Sequence, residues 1–220
     1  MDVKEKIQRL RQKMMERNMD AYIIPSSDPH MSEYVAPRWQ GRKWISGFTG
    51  SAGTVVITVE EGGLWTDGRY YIQAAKQLEG TGIKLFKAGM PGVPDYIEWL
   101  KQTLSDDSRI GLCGEVFSVS RVKEMRKKLS SKNISIIKEF DLIDEIWEGR
   151  PSPPREPVFI HDVAFAGWTV AEKLERFQTA AYALSLNWAG NLETDAKARA
   201  PWRDRTSHAR QGIQGTAERG

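Results

Sequence analysis

The stretch Thr54-Val-Val-Ile-Thr-Val-Glu-Glu-Gly-Gly-Leu-Trp-Thr66 contains two short apolar runs with a turn between them. The first run is Thr54-Val-Val-Ile-Thr58 and the second is Gly63-Leu-Trp-Thr66, and both are rich in the residue types that strands favour. The Glu60-Glu61-Gly62 sequence between them is typical of a tight connection. The stretch therefore predicts a β-hairpin.

Helical and strand-like patterns alternate on both sides of this hairpin. The apolar residues Ile7, Leu10, Met14 and Met15 recur at helical spacing near the start of the chain, whereas residues 26–42 are polar and rich in turn formers. A hairpin among alternating helices and strands indicates an α/β domain with a mixed sheet flanked by helices. The further helices are expected at 70–78, 95–104 and 118–129, and the further strands at 21–24, 83–86, 109–113 and 134–137.

The composition restricts the class of protein. Of the 220 residues, 40% are hydrophobic and 28% are charged, which suits a globular domain and excludes a disordered or membrane-spanning chain. The 32 basic and 29 acidic residues are interspersed, so a nucleic-acid-binding surface is not indicated. Cys113 is the single cysteine, and residues 1–10 lack the apolar run of a secretory signal. We therefore expect a cytoplasmic protein that binds neither nucleic acid nor membranes.

Prolines predict the end of the first domain. Residues 149–157 contain four of the ten prolines, a density that is typical of an extended linker. Beyond this segment, Thr169 and Glu172 match a capping box at the start of a helix that runs toward Phe177. The expected divisions are a domain over 1–148, a linker over 149–165, the first helix of an interrupted second domain over 166–177, and an atypical tail over 178–220.

The tail differs in composition from the rest of the chain. Residues 1–177 contain 27 isoleucines and valines, whereas residues 178–220 contain only Ile213, together with nine alanines. Strands need β-branched residues, so we expect the tail to be the least ordered part of the chain. Two explanations stay open: a shifted reading frame, or a natural disordered or loosely helical extension.

The usual metal and nucleotide signatures are missing from the sequence. His30, His161 and His208 are isolated from one another, which excludes the common zinc motifs. The segment Gly47-Phe-Thr-Gly-Ser-Ala-Gly53 has neither the ending of a P-loop nor the glycine spacing of a dinucleotide fold. A turn in which glycine permits close backbone packing is the better interpretation of this segment.

Other polar clusters also have ordinary structural explanations. Three carboxylates share one helical face, and acidic groups near a helix start complement its dipole. Two serines and the cysteine have no neighbouring base, so no nucleophile is indicated. These residues are Asp141, Asp144 and Glu145 for the carboxylates, and Ser46, Ser51 and Cys113 for the candidate nucleophiles.

The segment from Leu64 to Ala74 is the most informative one for function. Asp67 can cap a helix that starts near Gly68, which places Arg69 in the first turn. A cation at that position opposes the helix dipole, so a functional role is one explanation for Arg69. The alternative is a structural arginine that pairs with a local carboxylate or stacks on Trp65. The residues alone leave both explanations open.

Four motifs in order resemble one known family. They are Ala21-Tyr-Ile-Ile-Pro-Ser-Ser-Asp-Pro-His30, Ser32-Glu-Tyr34, Ser46-Gly-Phe-Thr-Gly-Ser-Ala-Gly53 and Leu64-Trp-Thr-Asp-Gly-Arg-Tyr70. Together they resemble the N-terminal domain of cytosolic-type aminopeptidase P, the Xaa-Pro aminopeptidases of the creatinase and prolidase superfamily. The resemblance covers about residues 1–177. It implies a creatinase/prolidase N-terminal-like fold, truncated here before a second similar domain and a catalytic pita-bread domain.

The resemblance also implies a reaction and a site. Members of this family remove an N-terminal residue that precedes proline, using a water or hydroxide held between two divalent ions, commonly manganese. The ligands are two Asp, one His and two Glu of the catalytic domain, and no position of this sequence matches them. The one residue that carries over is Arg69, as a substrate-binding residue that reaches toward the peptide. We therefore expect no catalytic residue, no metal ligand and no activity in this chain alone.

Two other functions stay open at this point. The chain could be a stand-alone creatinase-type module that binds peptides, with Arg69 at a peptide groove. It could also be an interaction or dimerisation domain that acts with a separately encoded catalytic chain, and a homodimer is one such arrangement. The partner expected for the intact family enzyme is an Xaa-Pro peptide.

Overall fold

The structure is a computed structural model that describes residues 1–157 and 159–189. The chain forms two units, of which the first is Met1–Arg155 and the second begins at Glu156. The first unit contains a single mixed sheet and the four ordered motifs of residues 21–70. The site described below lies entirely in this unit.

The sheet has six strands in the order β4-β3-β2-β1-β5-β6. The predicted hairpin is confirmed, because β2 and β3 pair antiparallel with Val55 opposite Leu64. Strand β2 also pairs antiparallel with β1, whereas β1 with β5, β5 with β6 and β3 with β4 are parallel. The mixed α/β sheet is therefore confirmed. The strands are β1 Ala21–Pro25, β2 Thr54–Thr58, β3 Gly62–Thr66, β4 Lys84–Lys87, β5 Arg109–Leu112 and β6 Ser135–Ile137.

Six helices of the first unit cover the sheet. The four longer helices that were predicted are present, and each of α1, α4 and α5 begins at an Asp or Ser whose side chain accepts a backbone N–H. Helix α2 lies where no helix was predicted, because six residues are too few to show a helical period. The helices are α1 Val3–Glu16, α2 Gly41–Ser46, α3 Tyr71–Gln77, α4 Tyr96–Thr103, α5 Val119–Leu129 and α6 Leu142–Ile146.

Two apolar cores cover the two faces of the sheet. Strand β1 contributes to both, with Tyr22 and Ile24 in one core and Ala21 and Ile23 in the other. Helices α1, α2, α3 and α6 pack into the first core, and α4 and α5 into the second. The predicted apolar face of α1 is buried except for Met15, which is 60% exposed. The hairpin and β1 are thus held in the middle of a three-layer domain.

The first unit continues past the predicted start of the linker because Arg150 is built into it. The guanidinium of Arg150 lies 5.5 Å from the Trp39 ring and 5.7 Å from the Trp147 ring. It also pairs with Asp141 at 2.7 Å, and its side chain is only 6% exposed. These contacts of Arg150 hold the start of the proline-rich segment against the first unit, so residues 149–155 belong to that unit.

The second unit contains α7, Val163–Ala166, and α8, Val170–Ala189. The predicted capping box is present: Thr169 Oγ1 accepts from the Glu172 backbone N–H at 3.2 Å, and Glu172 Oε2 accepts from the Thr169 backbone N–H at 2.7 Å. Helix α8 continues beyond Phe177, whereas the sequence pattern placed its end there. The shortage of β-branched residues after Phe177 disfavours strands, but the alanines and leucines of this segment favour a helix. The expectation of disorder concerns mainly residues 190–220, which lie outside the described part of the chain.

No helix among the described residues is long and apolar enough to span a membrane.

Candidate functional site

A groove with a volume of about 840 Å³ runs along one edge of the sheet. Strands β1, β3, β4 and β5 all run in the same direction, so their carboxyl ends meet at this edge. Crevices outside the carboxyl ends of parallel strands are a common place for ligand binding in α/β folds. The groove is lined by residues of the segments 25–31, 51–54, 65–67, 88–96 and 116–124.

One wall of the groove contains residues 51–53 of the glycine-rich loop 47–53, and the buried side chain of Arg42 lies beneath this loop. The Arg42 guanidinium donates to the Phe48 carbonyl at 2.6 Å, to the Gly50 carbonyl, and through Nε to Ser26 Oγ at 2.8 Å. No carboxylate of the described residues pairs with it. Burial lowers the pKa of Arg42 to about 10, so it stays protonated at neutral pH.

The carbonyls of Ala52 and Gly53 in this loop also accept hydrogen bonds from within the protein. Thr66 Oγ1 donates to the Ala52 carbonyl at 2.7 Å, and Ser26 donates to the Gly53 carbonyl from its backbone nitrogen and its hydroxyl. A Cβ at Gly50 would lie against the rings of Phe48 and Tyr70. The interpretation of residues 47–53 as a close-packed glycine turn is therefore confirmed.

Arg69 comes three residues after the end of β3, and it does not line the groove itself but pairs with Asp67, which does. Its Nε donates to Asp67 Oδ1 and its Nη2 to Asp67 Oδ2, both at 2.9 Å. Asp67 also accepts from the Arg69 backbone N–H, as the predicted cap of the short 3₁₀ turn Gly68–Tyr70. The structure thus shows the local carboxylate partner and no stacking on Trp65. The Arg69 side chain is nevertheless 68% exposed, so the pairing leaves it open to a ligand.

The pairing affects both ionisable groups. The hydrogen bonds from Arg69 lower the pKa of Asp67, and those to Asp67 raise the pKa of Arg69. Two further contacts hold the neighbouring Tyr70. Its hydroxyl lies 2.7 Å from Ser51 Oγ, which lowers the pKa of Tyr70, and its ring centroid lies 5.1 Å from the Arg69 guanidinium carbon.

The opposite wall of the groove is built by α4 and α5. Arg121 donates from Nε to the Tyr96 hydroxyl at 2.9 Å and pairs with Glu124 at 2.6 Å. Asp95, which caps α4, pairs with Lys128 at 2.9 Å. The groove therefore carries charges of both signs on its rim. Its floor includes the edge of Trp65, whose indole N–H donates to the Pro94 carbonyl at 2.9 Å.

Of the other candidate residues that lie in the first unit, only Ser51 lines this groove. Asp141 caps α6 by accepting from the Asp144 backbone N–H, as expected for a carboxylate at a helix start. Burial raises the pKa of Cys113 to about 11, which leaves it without thiolate character at neutral pH. His30 lies in the loop after β1, His161 lies in the second unit, and His208 lies outside the described residues.

No group of three or more His, Cys, Asp or Glu side chains among the described residues is arranged to hold a metal ion. The ligand set of two Asp, one His and two Glu therefore does not fit onto the described part of this chain.

Two contacts of the site could not be predicted from the sequence. Nothing in the order of residues indicates that Arg42 lies under the glycine-rich loop, or that Ser51 meets Tyr70, since 19 positions separate the latter pair. The only available signal was indirect: a loop with several small residues exposes carbonyls that need donors. The sequence singles out Arg69 by its position in the motif and Asp67 by its capping role.

Comparisons with known proteins agree with this architecture. The family model described as Creatinase/Prolidase N-terminal domain matches residues 6–146. The chain is 44% identical over 177 residues to "Aminopeptidase P2" of Arabidopsis thaliana, covering 78% of this chain and 25% of the relative. It is 38% identical over 201 residues to "Probable Xaa-Pro aminopeptidase P" of Neosartorya fischeri. That match covers 86% of this chain and 31% of the relative. Because residues 1–177 make up a smaller share of the chain than 86%, the match extends beyond residues 1–177.

One solved structure is similar over most of the chain. It is the X-prolyl aminopeptidase of Caenorhabditis elegans, described as a cytosolic enzyme with a di-nuclear active site. The TM-score is 0.72 at 34% sequence identity, and the match covers 84% of this chain and 32% of the nematode protein. The chain therefore spans between a quarter and a third of the length of these relatives.

Proposed function

Because the chain belongs to the creatinase/prolidase N-terminal domain family, we propose that it forms the N-terminal part of a metal-dependent aminopeptidase that removes the residue preceding a proline. The observation that carries this proposal is the likeness to Xaa-Pro aminopeptidases across both the family domain and the segment beyond it. The nematode relative is a cytosolic enzyme, and a cytoplasmic location is part of the proposal.

The proposal places the catalytic chemistry outside the described residues of this chain. In a two-metal site the ions generate the attacking hydroxide and stabilise the oxyanion. The di-nuclear active site of the nematode relative supports two metals in the complete enzyme, and manganese is our proposal for their identity. The proposed contribution of this chain is to substrate binding, and a cleavage assay on the purified chain tests whether it hydrolyses peptides.

Arg69 is the residue that we assign to the substrate. Its guanidinium is held in one orientation by two hydrogen bonds to Asp67, while Nη1 has no partner among the described residues. An arginine with a fixed plane and free N–H groups is suited to a peptide carbonyl or carboxylate. The groove next to it is large enough for several residues of a peptide.

A binding experiment with the purified chain tests this assignment. We expect a short peptide with proline at its second position to bind, and Arg69→Ala to weaken binding by about 10-fold, as for the loss of a charged hydrogen bond. Arg126→Ala is the matched control, because Arg126 is an exposed arginine on α5 without an ion pair in the described structure. Equal affinities of the wild type and Arg69→Ala would remove Arg69 from the substrate site.

A stand-alone peptide-binding module is the second candidate, favoured by the preformed groove. Isothermal titration with and without manganese, combined with a cleavage assay, separates the two functions. The aminopeptidase proposal predicts a preference for peptides with a free N-terminus and proline in second place. A module that binds proline-containing peptides equally well when their N-terminus is acetylated would favour the second candidate. Cleavage by the isolated chain would contradict both.

A further inference from the structure

Burial of the Arg42 guanidinium costs free energy, so a role for its position in the structure is expected. Its side chain is 5% exposed, and no carboxylate among the described residues offsets its charge. Transfer of a charge out of water carries a large desolvation cost unless other groups offset it. The hydrogen-bond acceptors of Arg42 are two carbonyls and one hydroxyl, and both carbonyls belong to the loop of residues 47–53. Its hydrogen bonds therefore fix the shape of that loop.

Two routes of direct contact connect Arg42 with Arg69. In the first, the Arg42 guanidinium lies 4.8 Å from the Phe48 ring centroid, and the Phe48 and Tyr70 rings meet edge to face at 5.9 Å. In the second, Arg42 holds the Gly50 carbonyl, and the next residue, Ser51, contacts the Tyr70 hydroxyl at 2.7 Å. Both routes end at Tyr70, whose ring lies beneath the Arg69 guanidinium at 5.1 Å.

The two routes constrain Tyr70 at different places. The Phe48 ring packs against the ring of Tyr70, while Ser51 holds the hydroxyl at its far end. A ring fixed at both places offers a steady surface to a cation, and cation–π contact is sensitive to the position of the ring. Asp67 fixes the guanidinium from one side only, so Tyr70 supplies the second constraint on Arg69.

We propose that Arg42 is a positioning residue for Arg69: it fixes the loop of residues 47–53, and Phe48 and Ser51 of that loop hold Tyr70 under the Arg69 guanidinium. The functional meaning of this arrangement rests on the proposed role of Arg69 in substrate binding. The coupling itself is a property of this chain and holds with or without a ligand.

Nuclear magnetic resonance of the ¹⁵N-labelled full chain tests the coupling directly. The readout is the heteronuclear Overhauser effect of the Arg69 Nε–H group, assigned by its disappearance in Arg69→Lys. We expect Ser51→Ala to lower the heteronuclear Overhauser effect of this group, because the Arg69 side chain becomes more mobile, and Arg42→Met to lower it further. Arg42→Lys, which keeps the charge and one donor group, should restore part of the loss. Ser130→Ala, a serine on a separate 3₁₀ turn, is the matched control and should change nothing.

The same variants are then titrated with the Xaa-Pro peptide. We expect Ser51→Ala to bind about 3-fold more weakly and Arg42→Met about 10-fold, in the order of their effects on Arg69. If Arg42→Met does not fold, the Arg69 Nε–H signal of Ser51→Ala decides, because Ser51 is exposed and its substitution removes the hydroxyl contact with Tyr70. Its peptide affinity does not decide, because Ser51 also lines the groove. An unchanged Arg69 Nε–H signal in a folded variant whose Tyr70 ring resonances have shifted would overturn the proposal. If the wild type binds no peptide, that result counts against the proposed function. The coupling between Arg42 and Arg69 is then decided by the Arg69 Nε–H measurement alone.

Discussion

At the scale of single residues, the contact between Asp67 and Arg69 should depend on pH in a defined direction. Hydrogen bonds from Arg69 lower the pKa of Asp67 below its ordinary value of 3.8. A carboxylate whose pKa is lowered in the folded state stays paired at pH values above its ordinary pKa. It loses the pairing as the pH falls through the lowered pKa. The midpoint of the pH-dependent shift of the Arg69 Nε–H resonance should therefore lie below 3.8.

Asp67→Asn provides the control for this titration. The amide keeps the shape of the side chain and removes its charge, so the Arg69 resonance should lie at its shifted position at every pH. A transition of the wild type at pH 4 or above would contradict the prediction, since it would mean that the pairing does not stabilise the charged carboxylate.

Residues differ in how much of their role the sequence reveals. The role of Asp67 as a cap was predictable because capping depends on neighbours within three positions. The burial of Arg42 was not, because it depends on a loop that folds back over α2. The two explanations for Arg69 are compatible in the structure: it pairs with a local carboxylate and also stays exposed.

At the scale of elements, the loop of residues 47–53 should tolerate change very unevenly. A Cβ at Gly50 would overlap the rings of Phe48 and Tyr70, whereas at Gly68 the nearest atoms, on the Tyr71 ring, lie 3.8 and 4.0 Å away. Neither glycine has a positive φ angle, so the comparison isolates the effect of volume. We expect Gly50→Ala to lower the free energy of unfolding by about 1–3 kcal/mol, the usual range for overpacking.

Gly68→Ala is the matched control and should stay within about 0.5 kcal/mol of the wild type, as substitutions without steric conflict do. Urea unfolding followed by tryptophan fluorescence measures both variants. A Gly50→Ala protein as stable as Gly68→Ala would show that the two rings move apart at little cost, and the packing route from Phe48 to Tyr70 would then be weak.

The elements also show where sequence patterns are sufficient. The hairpin, the longer helices and the mixed sheet were predictable because each carries its own period and its own turn or cap. Helix α2 was missed because six residues hide the period, and α8 was predicted too short because a lack of β-branched residues was interpreted as a lack of structure. Neither error affects the site, whose position follows from the strand directions.

At the scale of the whole molecule, the boundary of the first unit depends on one anchored residue. Arg150 donates from Nε to the Arg38 carbonyl at 2.9 Å and pairs with Asp141 and Asp144, while Trp39 and Trp147 flank its guanidinium. A chain that ends at residue 148 would lose all of these contacts and would leave Asp141 partly buried without its partner. A chain that ends at residue 155 would keep them.

We therefore expect the 1–148 chain to be less stable than the 1–155 chain by about 2–3 kcal/mol, below the roughly 3–5 kcal/mol of a fully buried pair because Asp144 is half-exposed. Urea unfolding of the two purified chains measures the difference. Arg150→Ala in the 1–155 chain should reproduce most of the loss, and Arg155→Ala, an exposed arginine five residues later, should reproduce none of it. Equal unfolding midpoints for the two chains would place the true end of the domain before Gly149, as the proline pattern alone predicts.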